Sequence, residues 1–170
     1  MNNIYLVGFM GTGKTALGKA LARELKLRFV DLDDIIEEKE GLKIVDIFAS
    51  KGEVYFRDLE SKALGEIAKA GGCISACGGG IVLRDDNIKV MKDSGNIICL
   101  DASPEVIYER TKHRSHRPLL NVKNPKAKIK ELLDERVAFY DKIDHHIDTS
   151  DLSIDEAVKG VIKILERSKK

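Results

Sequence analysis

Two rhythms of apolar residues alternate along this chain. Short continuous runs at 4–7, 28–31, 73–76, 95–101 and 146–149 have the length and composition of strands. Between them, stripes at helical spacing predict helices at 16–25, 34–40, 45–49, 53–70, 84–94, from Ser103 onward, 126–142 and 154–165. Asp34 followed by Glu37 has the form of a capping box, so a helix is expected to open there and to stop at Gly41. Lys51-Gly52 separates a short helical piece from a longer helix whose apolar face carries Phe56, Leu59, Ala63, Leu64 and Ile67. Ser103-Pro104-Glu105 opens another helix with an N-cap, a first-position proline and an early acid. The last helix shows its stripe at 154, 157, 158, 161, 162 and 165. Strands alternating with helices predict an α/β fold, a five-stranded parallel sheet flanked by helices. No repeat, low-complexity stretch or linker divides the chain, so 1–170 is read as a single domain.

The segment Gly8-Phe9-Met10-Gly11-Thr12-Gly13-Lys14-Thr15 belongs to neither rhythm. It has the form G-x-x-x-x-G-K-T and lies between a strand and a helix, the setting a phosphate-binding loop requires. Its glycines let backbone N–H groups wrap a phosphate, Lys14 adds a point charge, and the helix N-terminus adds its dipole. Thr15 can hold Mg²⁺ through its hydroxyl.

Around this loop stand further candidates. Asp31 and Asp33, two apart on an extended segment, would both face the loop if the second strand lies beside the first. Otherwise they are an exposed strand-end acid and a helix-start acid. The third strand lacks the terminal acid of a Walker-B segment, which makes Asp31 the candidate for the metal side. Arg57 sits at the edge of an apolar stripe and either snorkels over the core or serves a site. Three glycines, Gly78, Gly79 and Gly80, follow the third strand, where something must approach the backbone closely or the loop is a loose connector. From Arg110 to Lys130 there are eight Lys or Arg and no acid. That stretch reads as a mobile basic loop suited to closing over a polyphosphate, or as a solvated charge run. Arg136 falls within an apolar stripe and needs a partner, either an acid of the core or a bound carboxylate.

Composition narrows the classes. With 43% hydrophobic and 34% charged residues the chain is not disordered, and no apolar run approaches a membrane span. The start shows no secretory signal, and the cytoplasm is the expected compartment. A net charge of +1 gives no nucleic-acid or membrane signature, and the basic loop has no interleaved aromatic residue. Cys73, Cys77 and Cys99 have no zinc-knuckle spacing, and His113, His116, His145 and His146 form no recognisable set.

With these motifs the chain resembles the shikimate kinases, members of the P-loop kinase group that includes nucleoside monophosphate kinases. The resemblance rests on the loop from Gly8 to Thr15, Asp31-Leu32-Asp33, Phe56-Arg57-Asp58-Leu59-Glu60, the glycine triplet, Arg117-Pro118-Leu119-Leu120, and Arg136 followed by Tyr140. It implies a nucleoside monophosphate kinase-like fold with a substrate-binding helical region at about 33–61 and a mobile lid at about 112–124. The implied reaction moves the γ-phosphate of ATP to the 3-hydroxyl of shikimate, on the route to chorismate and the aromatic amino acids. By the same resemblance Asp33, Lys14 and Arg117 are catalytic, while Gly11, Thr12, Gly13, Lys14, Thr15, Ala16, Arg110 and Arg117 bind the nucleotide, Arg110 against the adenine. Asp33, Arg57, Gly79, Gly80 and Arg136 would hold shikimate, and Thr15 with Asp31 would hold Mg²⁺. ATP and shikimate are then the partners of a monomer. The chain departs from the family pattern at Cys77 and in the absence of proline from 148–153.

Other readings are weaker. A gluconate-type sugar-acid kinase shares the loop, but not the Asp31-Leu32-Asp33, Arg57, glycine-triplet and Arg136 set. A regulatory GTPase would need an N-K-x-D segment, which is absent. A non-catalytic relative would not keep Lys14, Thr15, Asp33 and Arg117 together.

Overall fold

A computed structural model describes residues 2–113 and 118–168. Its elements alternate as the apolar rhythm predicts: β1 (Asn3–Val7), α1 (Lys14–Leu25), β2 (Arg28–Asp31), α2 (Leu32–Glu40), α3 (Ile44–Ala70), β3 (Cys73–Ala76), α4 (Asp85–Ser94), β4 (Gly95–Asp101), α5 (Pro104–Thr111), α6 (Pro125–Tyr140), β5 (His146–Asp148) and α7 (Ile154–Arg167). The strands form one five-stranded sheet in the order β2-β3-β1-β4-β5, and every pairing is parallel. Parallel strands need crossover helices, which cover both faces, so β1 is buried at all five positions.

The two faces have separate cores. On β1, Tyr5 and Val7 join the cluster that includes Leu32, Phe56, Leu64, Ile107, Ile129 and Tyr140. Ile4 and Leu6 join the opposite cluster with Leu17, Leu21, Val158 and Val161 of α1 and α7. This alternation is the period of two expected of strands.

Two expectations need correction. The first acid to cap α2 is Asp31, not Asp34: its extended backbone lets its side chain accept from the Asp33 N–H at 3.1 Å, and the helix opens at Leu32. Glu37 instead accepts from the Ile44 N–H at 2.9 Å and from Lys43 Nζ at 2.7 Å, holding the α2–α3 corner. The helical pieces at 45–49 and 53–70 stand as expected on either side of a break at Gly52, within the span named α3, and the Gly52 φ of 82° and ψ of 173° suit only glycine. Finally, β2 does not lie beside β1; β3 comes between them. Since Asp33 is already in the first turn of α2, the shared direction argued from an extended segment does not hold. Ile154, placed in the apolar stripe of α7, is half exposed because it is that helix's first residue.

Among the described residues no helix is long and apolar enough to cross a membrane. In the expected lid, Pro118–Leu120 form a 3₁₀ turn, while Arg114, His116 and Arg117 lie outside the described residues.

Candidate active site

The site lies where the C-terminal ends of β1, β2 and β3 meet the start of α1, the usual position for a ligand in an open α/β sheet. Gly13, with φ of 96°, caps α1 and turns the loop into the helix. Thr12 is buried and its hydroxyl donates to the Phe9 carbonyl at 2.8 Å, closing the loop on itself. Lys14 Nζ donates to the Gly8 and Phe9 carbonyls, each at 2.8 Å, so its charge is held over the loop. The outer wall comes from far along the sequence. Arg110 donates to the Gly11 carbonyl at 3.3 Å and to the Thr149 carbonyl at 2.8 Å, and the Thr149 hydroxyl donates to the Thr12 carbonyl at 2.8 Å. Arg110 thus stands at the loop's edge beside the segment after β5, and the Thr149 contribution had no sequence signal.

On the other side, the Thr15 hydroxyl donates to Asp31 Oδ2 at 2.9 Å. A hydroxyl and a carboxylate oxygen beside the phosphate loop are the hard donors that Mg²⁺ prefers, so these residues fit the expected ion.

The glycine triplet is crowded by the chain's own side chains. A methyl on Gly78 would overlap the Glu60 carboxylate and come within 3.4 Å of Asp33 Oδ1. One on Gly79 would lie 3.4 Å from Arg136 Nη1, and one on Gly80 would overlap the Arg57 guanidinium. The close approach inferred from three glycines is therefore real, and it gathers Asp33, Arg57, Glu60 and Arg136 around one turn of backbone. The Tyr140 hydroxyl donates to the Gly79 carbonyl at 2.7 Å and fixes that turn against α6.

The two arginines differ in their company. Arg57 pairs with Glu60 at 2.5 Å and with Glu53 at 2.9 Å. These partners lie three residues after it and four before it on α3, a spacing readable in the sequence but missed there. Arg136 is buried at 5% exposure and forms no ion pair among the described residues. Its guanidinium carbon lies 5.6 Å from the centre of the Phe9 ring. A buried guanidinium without a carboxylate partner of its own is free to pair with a bound one.

Glu60 is fully buried, and burial pushes its carboxyl up, against the opposing pull of Arg57. Its Oε1 and the Arg57 Nε have no hydrogen-bond partner among the described residues. Cys77, the residue that departs from the family pattern, is buried next to the triplet, and burial pushes its thiol up to about 12. It is inert packing.

Comparison with known proteins matches residues 10–166 to the family model described as shikimate kinase. A shikimate kinase of Thermodesulfovibrio yellowstonii is 48% identical over 167 residues, covering 98% of this chain and 96% of that protein. One of Thermoanaerobacter pseudethanolicus is 44% identical over 170 residues, covering 100% and 99%. Among solved structures, the shikimate kinase from Acinetobacter baumannii in complex with shikimate superposes with a TM-score of 0.95 at 35% identity, covering 99% of this chain and 95% of that one. A gluconokinase from Sinorhizobium meliloti reaches a TM-score of only 0.59 at 18% identity over 98% and 92% of the two chains, a likeness of fold alone. The chain belongs to the shikimate kinase family.

Proposed function

We propose that the chain transfers the γ-phosphoryl group of ATP to the 3-hydroxyl of shikimate, giving shikimate 3-phosphate and ADP on the route to chorismate. The observation that carries this reading is Arg136, buried and without an ion pair among the described residues, facing the same glycine turn as Arg57 and Asp33. Two guanidiniums suit a carboxylate and an acid suits neighbouring hydroxyls, so the acceptor is a hydroxylated acid.

In this reading Arg136 and Arg57 bind the acceptor carboxylate, with the Gly79 and Gly80 backbone beside it. Asp33 accepts a hydrogen bond from the attacking hydroxyl and holds or takes its proton as the new O–P bond forms. The bond from the γ-phosphorus to the β–γ bridging oxygen breaks, and ADP leaves. Lys14 and the loop amides from Gly11 to Ala16 neutralise charge on the phosphates, and Arg117 adds charge from the lid. Thr15 and Asp31 would hold Mg²⁺, which when bound screens the phosphate oxygens. Arg110, at the edge of the loop, bounds the adenine side. In this reading the chain acts as a monomer. Three free, buried cysteines accord with a cytoplasmic protein.

The test is ADP release measured in parallel with shikimate, quinate, gluconate and nucleoside monophosphates. Turnover with shikimate well above the others is expected. No turnover with shikimate, or preference for another acceptor, overturns the reading.

A further inference from the structure

We propose that the ends of β4 and β5 form a second metal site, one for a zinc-class divalent ion, built from Cys99, Asp101 and His146. Cys99 and Asp101 are two apart on β4 and share a face of the sheet, and His146 is the register partner of Cys99 on β5. A sulfur, a carboxylate oxygen and a ring nitrogen from the three all lie within 4.8 Å of one another. Because the ligands stand on paired strands, the sheet itself sets their spacing.

The sulfur–oxygen distance suits the ion, while the 2.7 Å contact of His146 Nδ1 with Asp101 Oδ2 opens to about 3.3 Å to admit it. Cys99 Sγ is 3.6 Å from Asp101 Oδ1, close to the edge of a tetrahedron whose Zn–S and Zn–O bonds are about 2.3 and 2.0 Å. The ring of His146 is oriented from behind: Nε2 is 3.0 Å from the Ile143 carbonyl oxygen, which can only accept. Nε2 therefore carries a proton, and Nδ1 faces Asp101 Oδ2 at 2.7 Å. A ring-nitrogen lone pair and a carboxylate oxygen so close need positive charge between them, supplied by a proton or by a metal ion. A backbone carbonyl on the far ring nitrogen is how metal-ligating histidines are commonly held. A cleft of about 380 Å³, lined in part by Asp101, Lys130, Asp134, Asp141 and His146, opens beside the carboxylate and the imidazole.

The thiol decides the class of ion, since sulfur ligands favour zinc-like ions over magnesium. This site is therefore chemically distinct from the Thr15–Asp31 pair. Binding displaces the Cys99 thiol proton and any proton held between His146 Nδ1 and Asp101 Oδ2, and these leave to solvent.

The experiment is a titration of the metal-free full chain with Co²⁺, followed by absorbance, then by competition with Zn²⁺. Expected are tetrahedral d–d bands and a thiolate-to-cobalt charge-transfer band that saturate together and are abolished by Zn²⁺. Cys99→Ser should remove the charge-transfer band and weaken Zn²⁺ binding by about a hundredfold or more. His146→Gln should also weaken it, whereas Cys73→Ala, whose thiol lies by Asn3, should leave the band intact. If Cys99→Ser proves unfolded by circular dichroism, the wild-type spectrum and the partly exposed His146→Gln variant carry the test. A purely octahedral spectrum, or Zn²⁺ affinity unchanged in His146→Gln, overturns the proposal and leaves a plain histidine–aspartate ion pair.

Discussion

The Thr15 hydroxyl donates to Asp31 Oδ2 at 2.9 Å, joining the end of the phosphate loop to a strand two places away in the sheet. Asp31 also caps α2 through its other oxygen, and asparagine caps nearly as well as aspartate. Asp31→Asn should therefore fold normally while losing charge at the metal side. The Mg²⁺ concentration for half-maximal rate should rise about tenfold, with the acceptor KM little changed. Initial rates across a Mg²⁺ series check this; an unaltered Mg²⁺ dependence would leave Asp31 as a cap only.

Arg136→Ala should raise the acceptor KM on the order of a hundredfold and leave the ATP KM nearly unchanged, because only the acceptor carboxylate loses its partner. Arg136→Lys keeps the charge but not the two-pronged geometry, and should recover only part of the loss. Steady-state kinetics with each substrate varied in turn distinguish this from a structural arginine, whose loss would affect both substrates alike.

Gly80 has φ of −96°, which alanine adopts without strain, so Gly80→Ala isolates a steric effect. The added methyl would push on the Arg57 guanidinium, costing about 1–3 kcal/mol of stability and raising the acceptor KM. Gly65→Ala is the control: it lies within α3 with open space around it and should stabilise by roughly 0.5–1 kcal/mol. Urea unfolding of the two variants should move in opposite directions.

Glu60 gives a pH signature. Burial, partly offset by Arg57, raises its carboxyl from the ordinary 4.5 to about 7. The folded state therefore binds this proton more tightly than the unfolded chain. Its contribution to stability is complete below about pH 4.5 and is lost as pH rises through about 7. In Glu60→Gln this pH-dependent component disappears, so the wild-type-minus-variant difference in unfolding free energy should slope between pH 5 and 8 by at most a few kcal/mol. Because Glu60 also holds Arg57, the variant should raise the acceptor KM. A flat difference would mean the carboxyl is charged throughout.

At the last helix, the Ser153 side chain accepts from the Glu156 N–H while Glu156 accepts from the Ser153 N–H. Ser153→Ala should cost ~1 kcal/mol in thermal or chemical unfolding without changing either KM.

What could be read from sequence was what is local. The loop from Gly8 to Thr15, the strands and the α6 stripe bearing Arg136 are recorded in neighbouring residues, and each appears where its pattern places it. The Asp34–Glu37 box was misplaced because a strand ending on Asp31 offers an earlier acid with the right backbone, and both patterns satisfy the same spacing. Sheet order is a long-range property, so the position of β3 between β1 and β2 had no local signal. His146 showed nothing because its partner Asp101 is 45 residues away. Glu53 and Glu60 stood at helical spacing from Arg57, and attention to charge pairs along α3 would have found them. Arg117 carries its part of the proposal through its place in the family motif alone.

The bonds from Arg110 and Thr149 to the loop also constrain when the site can exist during synthesis. A chain released from the N-terminus has the complete phosphate-binding motif within its first fifteen residues. Yet the backbone carbonyls of Gly11 and Thr12 gain their partners only when Thr149 and the end of α5 have arrived. A nascent chain stalled near residue 120 should therefore carry the motif and retain nucleotide poorly. Competence arrives only once residue 149 has been made, so a product truncated before it is poorly equipped to sequester ATP.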